Sequence, residues 1–463
     1  MTARQSGAQG GMTDRALDMK LATRNLRMPA NNRVAVFGPS HAAQHFAGTN
    51  ASGEVPTLLG QTVGAVHWAN FLSGGRALLE PADMVARNGE WTGPMAWNGI
   101  DYPGLMSRVE RLLATGVGHV VMVAPSANDR NAWTAAQSIA NLTAIVDRIV
   151  EAGMLLTILL DYPHGAAAYT VMRLSNTAAS PQLDHWNVVN RWLLTLHGQR
   201  GIRVVDTPAI LGDLTSAEGQ AASGVTIDGL HLSTQGAYLV GRVLAREWRR
   251  LYPLGNVLPF GQAERPGQAG VNPGAIVSTQ PYFGGTGGTP GSGATGQIGT
   301  GWTTALAAGV SGTYSKATTT GFGGRNYIDE DGPPTKDWQQ IALSGTASGT
   351  ADVILLRQAI NPAIGDPLRA VAEIEVDPGT TGLSGIGIYI FHSGSGQQIR
   401  AFGTPPSGLA DPWPSQGLAG VMRTPRWVAD SNLCYLQLSA KPINGGAVSA
   451  TLRVRGMAVG KTL

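Results

Sequence analysis

From Arg33 onward, short apolar runs recur along the chain and read as buried strands, at residues 33–37, 83–87, 119–124, 154–160 and 202–206. The segments between them keep a helical period. Residues 131–152 place Ile139, Leu142, Ile145, Val146 and Ile149 on one face, and Gly153 follows as a C-cap. Residues 182–197 and 234–251 form two further helices, the second opening on Ser233 or Thr234 as its N-cap. Strands alternating with helices predict a parallel sheet covered on both faces, with sites at the carboxyl ends of its strands.

After Tyr252 and Pro253 the pattern changes. Residues 254–300 are rich in Gly, Pro, Thr and Ser and show no helical period. Beyond them come alternating runs at 351–358, 368–376, 386–391, 398–402, 432–439 and 447–457, separated by turn residues. That rhythm predicts an antiparallel, jelly-roll-like β-sandwich. The expected organisation is therefore an N-terminal arm (1–31), an α/β domain (32–253), a linker and entry (254–300) and the sandwich (301–463).

A chain of 463 residues is long enough for two such domains. Its 63 glycines are about twice the average share, and many crowd into the second half, which fits turn-rich β structure. A net charge of +3 without a Lys/Arg block leaves no electrostatic footprint for nucleic acid. The single cysteine, Cys434, excludes an internal disulfide framework and any CxxC metal site, and its alternating surroundings suggest a buried thiol. The first 32 residues lack the apolar core of a secretion signal. No apolar run reaches the ~18 residues of a spanning helix. The expectation is a soluble chain not exported by a recognised signal.

Three stretches carry chemistry. In Val34-Ala-Val-Phe-Gly-Pro-Ser40-His41 an apolar strand runs into a glycine, and a serine follows where a helix would start. A hydroxyl placed there suits a nucleophile, with the helix dipole behind the oxyanion it creates; the same serine would also serve as a helix cap. The second stretch ends a buried strand in Asn128-Asp129, whose asparagine is either a turn former or an oxyanion donor. The third, Asp228-Gly-Leu-His231, spaces a carboxylate and an imidazole so that a tight turn would join them; taken alone, the pair would equally serve a structural turn.

In order and spacing these stretches resemble the SGNH (GDSL-type) hydrolase family over about residues 32–252. Asp228-Gly-Leu-His231 with Leu-Ser-x-x-Gly236 matches that family's last block, Asn128-Asp129 its third, and Asn88-Gly-Glu-Trp-Thr-Gly93 its second. Two departures stand out: Pro39 replaces the usual Asp before the helix, and Ser126 the usual Gly before Asn128. The resemblance implies a serine esterase without metal or cofactor. Ser40 would be the nucleophile, His231 the base and Asp228 its orienting carboxylate. Ser40, Gly93 and Asn128 would form the oxyanion hole, with Gly89 as the alternative glycine. His41 and Trp91 are expected to face substrate. Asp161 with His164, and Asp184 with His185, lie outside the matched blocks and are secondary candidates.

The second half resembles, in texture only, carbohydrate-binding modules and the distal domains of phage tail proteins. Trp302, Trp338, Trp413 and Trp427 would either stack on sugar rings or fill a core. This implies an esterase that removes acyl groups, acetyl above all, from a polysaccharide, as a virion tail protein made in the cytoplasm and released without a signal peptide. A homotrimer would be the matching assembly. Competing readings are a bacterial lipase or general carboxylesterase, and a tail-fibre or adhesin subunit that only binds glycan.

Overall fold

The computed structural model describes residues 28, 32–47, 58–97, 99–165, 181–216, 219–253, 283–307, 309–317, 338–405 and 411–461. The N-terminal arm, apart from Met28, and linker residues 254–282 lie outside them. The first half is built on an all-parallel sheet ordered β3 (Met84–Ala86), β1 (Val34–Gly38), β6 (His119–Val123), β7 (Leu155–Leu159), β8 (Arg203–Val205). Each strand coincides with one of the five apolar runs to within a residue.

Helices cover both faces. On one side α3 (Leu105–Ala114), α4 (Ala135–Glu151) and α5 (Pro181–Thr195) share a core with Ala35, Phe37, Val120 and Met122. On the other, α2 (Ala65–Ser73) and α7 (Thr234–Leu251) share one with Val34, Val36, Val121 and Val123. Successive residues of one strand thus fall into opposite cores, as a doubly covered sheet requires. The domain is a three-layer α/β fold. Thr134 and Gln137 close a capping box at the start of α4, and the Ser233 hydroxyl accepts the Gly236 N–H at the start of α7. Where α7 crosses α2, a Cβ on Gly241 would come 2.3 Å from that of Trp68, so only glycine permits the approach. Two short helices, α1 (Ser40–Ala43) and α6 (Thr207–Leu211), and a hairpin of β4 (Met95–Trp97) and β5 (Ile100–Tyr102) complete this half.

The second half is a β-sandwich. One sheet runs β10 (Ala294–Gly296), β12 (Val310–Ala317), β13 (Trp338–Thr346), β21 (Ala447–Lys461), β15 (Pro367–Val376), β18 (Leu418–Arg423), with β19 (Trp427–Val428) also on β15. The other runs β2 (Leu59–Gln61), β17 (Gln398–Thr404), β16 (Leu383–His392), β20 (Cys434–Pro442), β14 (Val353–Ile360), β11 (Ile298–Ala305), β9 (Gly287–Thr289). The long strands pair antiparallel; only the short β2, β9 and β10 pair parallel.

Two features correct the expected organisation. The sandwich begins by Gly287, inside the stretch assigned to the linker, because glycine-rich strands carry no apolar alternation to mark them. The boundary is also not a clean cut. β2 comes from the α/β half but pairs with β17, placing Leu59 beside Arg400 and Gln61 beside Thr404. α2 is covered by the sandwich too: Trp68 meets Phe402 edge-on at 4.5 Å and Trp413 at 4.9 Å. The two halves share one continuous hydrophobic core.

The four tryptophans considered as sugar platforms are all inside. Trp302, Trp338, Trp413 and Trp427 are 0%, 2%, 3% and 6% exposed. Each is spent on packing, which is where a large ring gains most from leaving water. Cys434 is buried.

Candidate active site

The sheet's register brings the three chemical stretches to one edge. Ser40 opens α1 two residues beyond β1, so its N–H sits in a first helical turn with no intrahelical acceptor. Gly38, at φ 148°, makes the sharp exit from β1: a Cβ there would lie 2.5 Å from the Val123 carbonyl oxygen. Pro39 supplies no side-chain cap, so the Ser40 hydroxyl is left to the site.

His231 and Asp228 arrive on a tight turn ahead of α7. The turn is closed by the Ile227 N–H donating to the His231 carbonyl at 2.9 Å, with Gly229 at φ 80°. Asp228 Oδ1 accepts the backbone N–H groups of Leu230 (2.9 Å) and His231 (2.7 Å), and Oδ2 accepts from His231 Nδ1 at 2.7 Å. Partial burial would raise the Asp228 pKa, but these hydrogen bonds and the imidazole outweigh it and hold the carboxyl well below its usual range. With Nδ1–H committed to Asp228, Nε2 faces the Ser40 hydroxyl at 3.0 Å. Carboxylate, imidazole and hydroxyl stand in one hydrogen-bonded line.

Asn128 follows β6 through Ala124, which holds a left-handed φ of 42°. Its Nδ2 donates one hydrogen to the Glu90 carbonyl at 2.7 Å, leaving the second for a ligand. Ser126, in place of the expected glycine, gives its N–H (3.1 Å) and its hydroxyl to Asp161. Asp129 ties the same turn to the neighbouring loop by accepting the Thr92 N–H at 2.9 Å. Burial pushes the Asp129 carboxyl up to about 6, against the Thr92 and Ser138 hydrogen bonds.

Gly93, the glycine expected in the oxyanion hole, is buried. It lies against Gly104, Trp133 and Asn141, and an added Cβ would come 2.7 Å from Asn141 Nδ2. Gly89, by contrast, is partly exposed and lies three residues beyond Ala86, the register partner of Gly38. Of the two candidate glycines, Gly89 is the more exposed. Between them Glu90 folds inward, where Oε2 pairs with Arg108 (2.8 Å) and Oε1 accepts the Gly104 N–H (2.8 Å). Trp91 is turned inward as well, 7% exposed with its ring against Tyr102 at 4.8 Å, so it offers no platform to a substrate.

His41 is buried beneath the site, its ring 5.0 Å from that of His231 and edge-on to Tyr162 at 4.8 Å. Among the described residues neither His41 Nδ1 nor the Tyr162 hydroxyl has a hydrogen-bond partner. Burial, then the nearby charges of His231 and Arg130, keep the His41 pKa far below its ordinary value. His164 is held down in the same way. The Asp161–His164 segment thus supports the floor of the site: the Gly165 N–H reaches the Gly229 carbonyl at 2.7 Å. His185 is elsewhere, bonded to Ser138 Oγ at 3.0 Å. Sequence reasoning did not single out Glu90 or Tyr162, and the only signal for either was its place just beyond a strand. Among the described residues no group of three or more His, Cys, Asp or Glu is arranged to hold a metal.

No protein-family model matches the chain, and no curated protein matches it. Solved structures do. A carbohydrate acetylesterase from Sinorhizobium meliloti aligns at 13% identity, covering 48% of this chain and 100% of its own, with a TM-score of 0.36. A protein assigned to the lipolytic G-D-S-L family, from Desulfitobacterium hafniense DCB-2, aligns at 14% identity over 47% of this chain and 99% of its own, with a TM-score of 0.33. A structure of carbohydrate-binding modules from the β-sandwich superfamily aligns at 12% identity over 34% of this chain and 56% of its own, with a TM-score of 0.23.

Proposed function

We propose that this chain is a serine ester hydrolase of the SGNH type, acting on short acyl esters, acetyl above all, carried by a polysaccharide. The observation that supports this reading is the line Asp228–His231–Ser40, with contacts of 2.7 and 3.0 Å at the carboxyl edge of the parallel sheet.

The chemistry follows from those contacts. His231 Nε2 takes the Ser40 proton as Oγ bonds to the ester carbonyl carbon and the carbonyl oxygen becomes an oxyanion. The N–H groups of Ser40 and Gly89 and the free Asn128 amide hydrogen receive that charge. The carbon–oxygen bond to the alcohol then breaks, and His231 returns the proton to the departing oxygen. Water, deprotonated by His231, releases the acid and restores Ser40. Asp228 stays ionised throughout, holding the imidazole in the tautomer that keeps Nε2 free and stabilising its cation.

The preference for short acyl groups rests on the floor of the site, where the buried His41 ring packs against His231 at 5.0 Å and Tyr162 at 4.8 Å and fills the space a long alkyl chain would need. The wider setting in this reading is a virion tail protein, assembled as a homotrimer, that deacetylates host surface glycan.

The test is hydrolysis of p-nitrophenyl acetate and octanoate by the protein and by Ser40→Ala. Release from acetate, little from octanoate, and none from either by the variant is the expected pattern. Preference for octanoate would replace deacetylation with lipolysis. Equal rates for protein and variant would remove Ser40 from the mechanism.

A further inference from the structure

The outer face of the sheet carrying β14, β16, β17 and β20 holds an open cavity of about 450 Å³, lined by none of the residues of the Ser40 site. That volume is in the range of small-ligand sites. On β16, Ile386, Ile388 and Ile390 fill the sandwich core, so strand alternation sends Tyr389 and Phe391 outward. Tyr389 and Gln437 are nearly buried and form the floor, whereas Arg357, Asp352, Phe391 and Gln398 stand around the rim.

The polar atoms here are unevenly matched. Arg400 lies over the Tyr389 ring at 4.5 Å, is paired with Asp352, and donates from Nε to Gln398 Oε1 at 3.0 Å. Its charge is balanced within the protein. The Tyr389 hydroxyl donates to Gln437 Oε1 at 2.6 Å. Those contacts occupy the oxygens of both glutamines, so their NH₂ groups are the atoms left for a ligand. Arg357 differs. Its guanidinium stacks on Tyr435 at 3.6 Å, no carboxylate among the described residues lies within ion-pair reach, and its Nε is buried without a hydrogen-bond partner.

A cavity with surplus donors, one guanidinium without an ion-pair partner among the described residues and a half-buried ring asks for a ligand with acceptors, one negative charge and an apolar face. A pyranose bearing a carboxylate meets all three requirements. A neutral sugar leaves Arg357 unmatched, and a bare phosphate leaves Phe391 unused. An acidic peptide strand would need a sheet edge for its backbone, and this cavity lies on a sheet face. We propose that the second domain binds a uronic-acid residue of a polysaccharide here. The carboxylate sits on the Arg357 guanidinium, the hydroxyls on the Gln437 and Gln398 amides, and the C–H face of the ring on Phe391.

The experiment is calorimetric titration of the full-length protein, Arg357→Gln and Gln437→Ala with tetragalacturonate and tetramannuronate, and with cellotetraose as the uncharged counterpart. At least one uronate should bind the unaltered protein and weaken as salt rises. Arg357→Gln should lose about tenfold or more in affinity, and Gln437→Ala a smaller factor. Hydrolysis of p-nitrophenyl acetate should stay unchanged in both variants, which reports their folding and separates this site from Ser40. Failure of both uronates to bind at millimolar concentration would overturn the proposal. So would equal binding of cellotetraose, or uronate binding that survives in a folded Arg357→Gln protein.

Discussion

Asp411, in the sandwich, accepts the backbone N–H of Thr234 at 2.6 Å and so caps the first turn of the helix that follows the Asp228–His231 turn. The same carboxylate takes the Thr234 hydroxyl, whose oxygen lies 2.8 Å from Thr62 Oγ1. A negative group at a helix N-terminus is favourable, and this one is supplied by the other domain. The second domain thereby fixes the segment that starts three residues after His231.

Removing that carboxylate should loosen the turn without touching substrate. Asp411→Ala is expected to lower kcat about tenfold, a cost of about 1.4 kcal/mol that lies within the range for a lost helix cap, with KM nearly unchanged. Asp411→Asn keeps one acceptor oxygen and should recover part of the loss. A change in KM alone would argue for a contact with substrate instead.

The oxyanion role of Asn128 has its own signature. Asn128→Ala should lower kcat on p-nitrophenyl acetate by about 10²–10³ with little effect on KM. An effect below about threefold would mean that the Asn128 amide serves only its structural contact to the Glu90 carbonyl.

Trp68 is the hinge of the shared core, with Phe402 and Trp413 on one side of it and Tyr238 on the other. Truncation to alanine should cost about 3–5 kcal/mol in denaturant unfolding, as for a fully buried large ring. The unaltered protein should unfold in one transition reported alike by both halves. Two separated transitions would show that the α/β half stands without the sandwich.

His67 gives a pH test. Burial first, and then the neighbouring His45, lower its pKa to about 3. The unfolded chain binds this proton near pH 6.5 and the folded protein does not, so the stability present above that pH is lost as pH falls toward 3. Relative to His67→Gln, the unaltered protein should lose up to about 1.4 kcal/mol per pH unit between about pH 6 and about pH 4. A pH-independent difference would show that His67 titrates normally.

The parallel sheet was legible because a strand buried on both faces is apolar without interruption, and the boundaries expected for β1, β6 and β7 agree within a residue. The helix at Thr234–Leu251 was legible from its cap and its period. By contrast, α2 is apolar nearly all round, since α7 covers one side and the sandwich the other; nothing in residues 65–73 has the stripe of a surface helix. β2 is three residues long and takes its strand character from β17, a partner more than 300 residues away in sequence. The tryptophans of the second half could not be assigned from local pattern, because burial there is decided by the opposite sheet. At the site, Ser40, Asp228 and His231 come together as the motifs implied. Between Gly93 and Gly89 the count along the turn does not decide, because it does not reveal that Glu90 points inward to Arg108.

The most direct test of the central claim is covalent labelling with a fluorophosphonate, which reacts only with an activated serine, followed by peptide mapping by mass spectrometry. The expected result is a single adduct on Ser40, formed at a rate that collapses in His231→Ala and falls sharply in Asp228→Asn. Persistent ester hydrolysis with Ser40 unlabelled, or an adduct on any other residue, would contradict it.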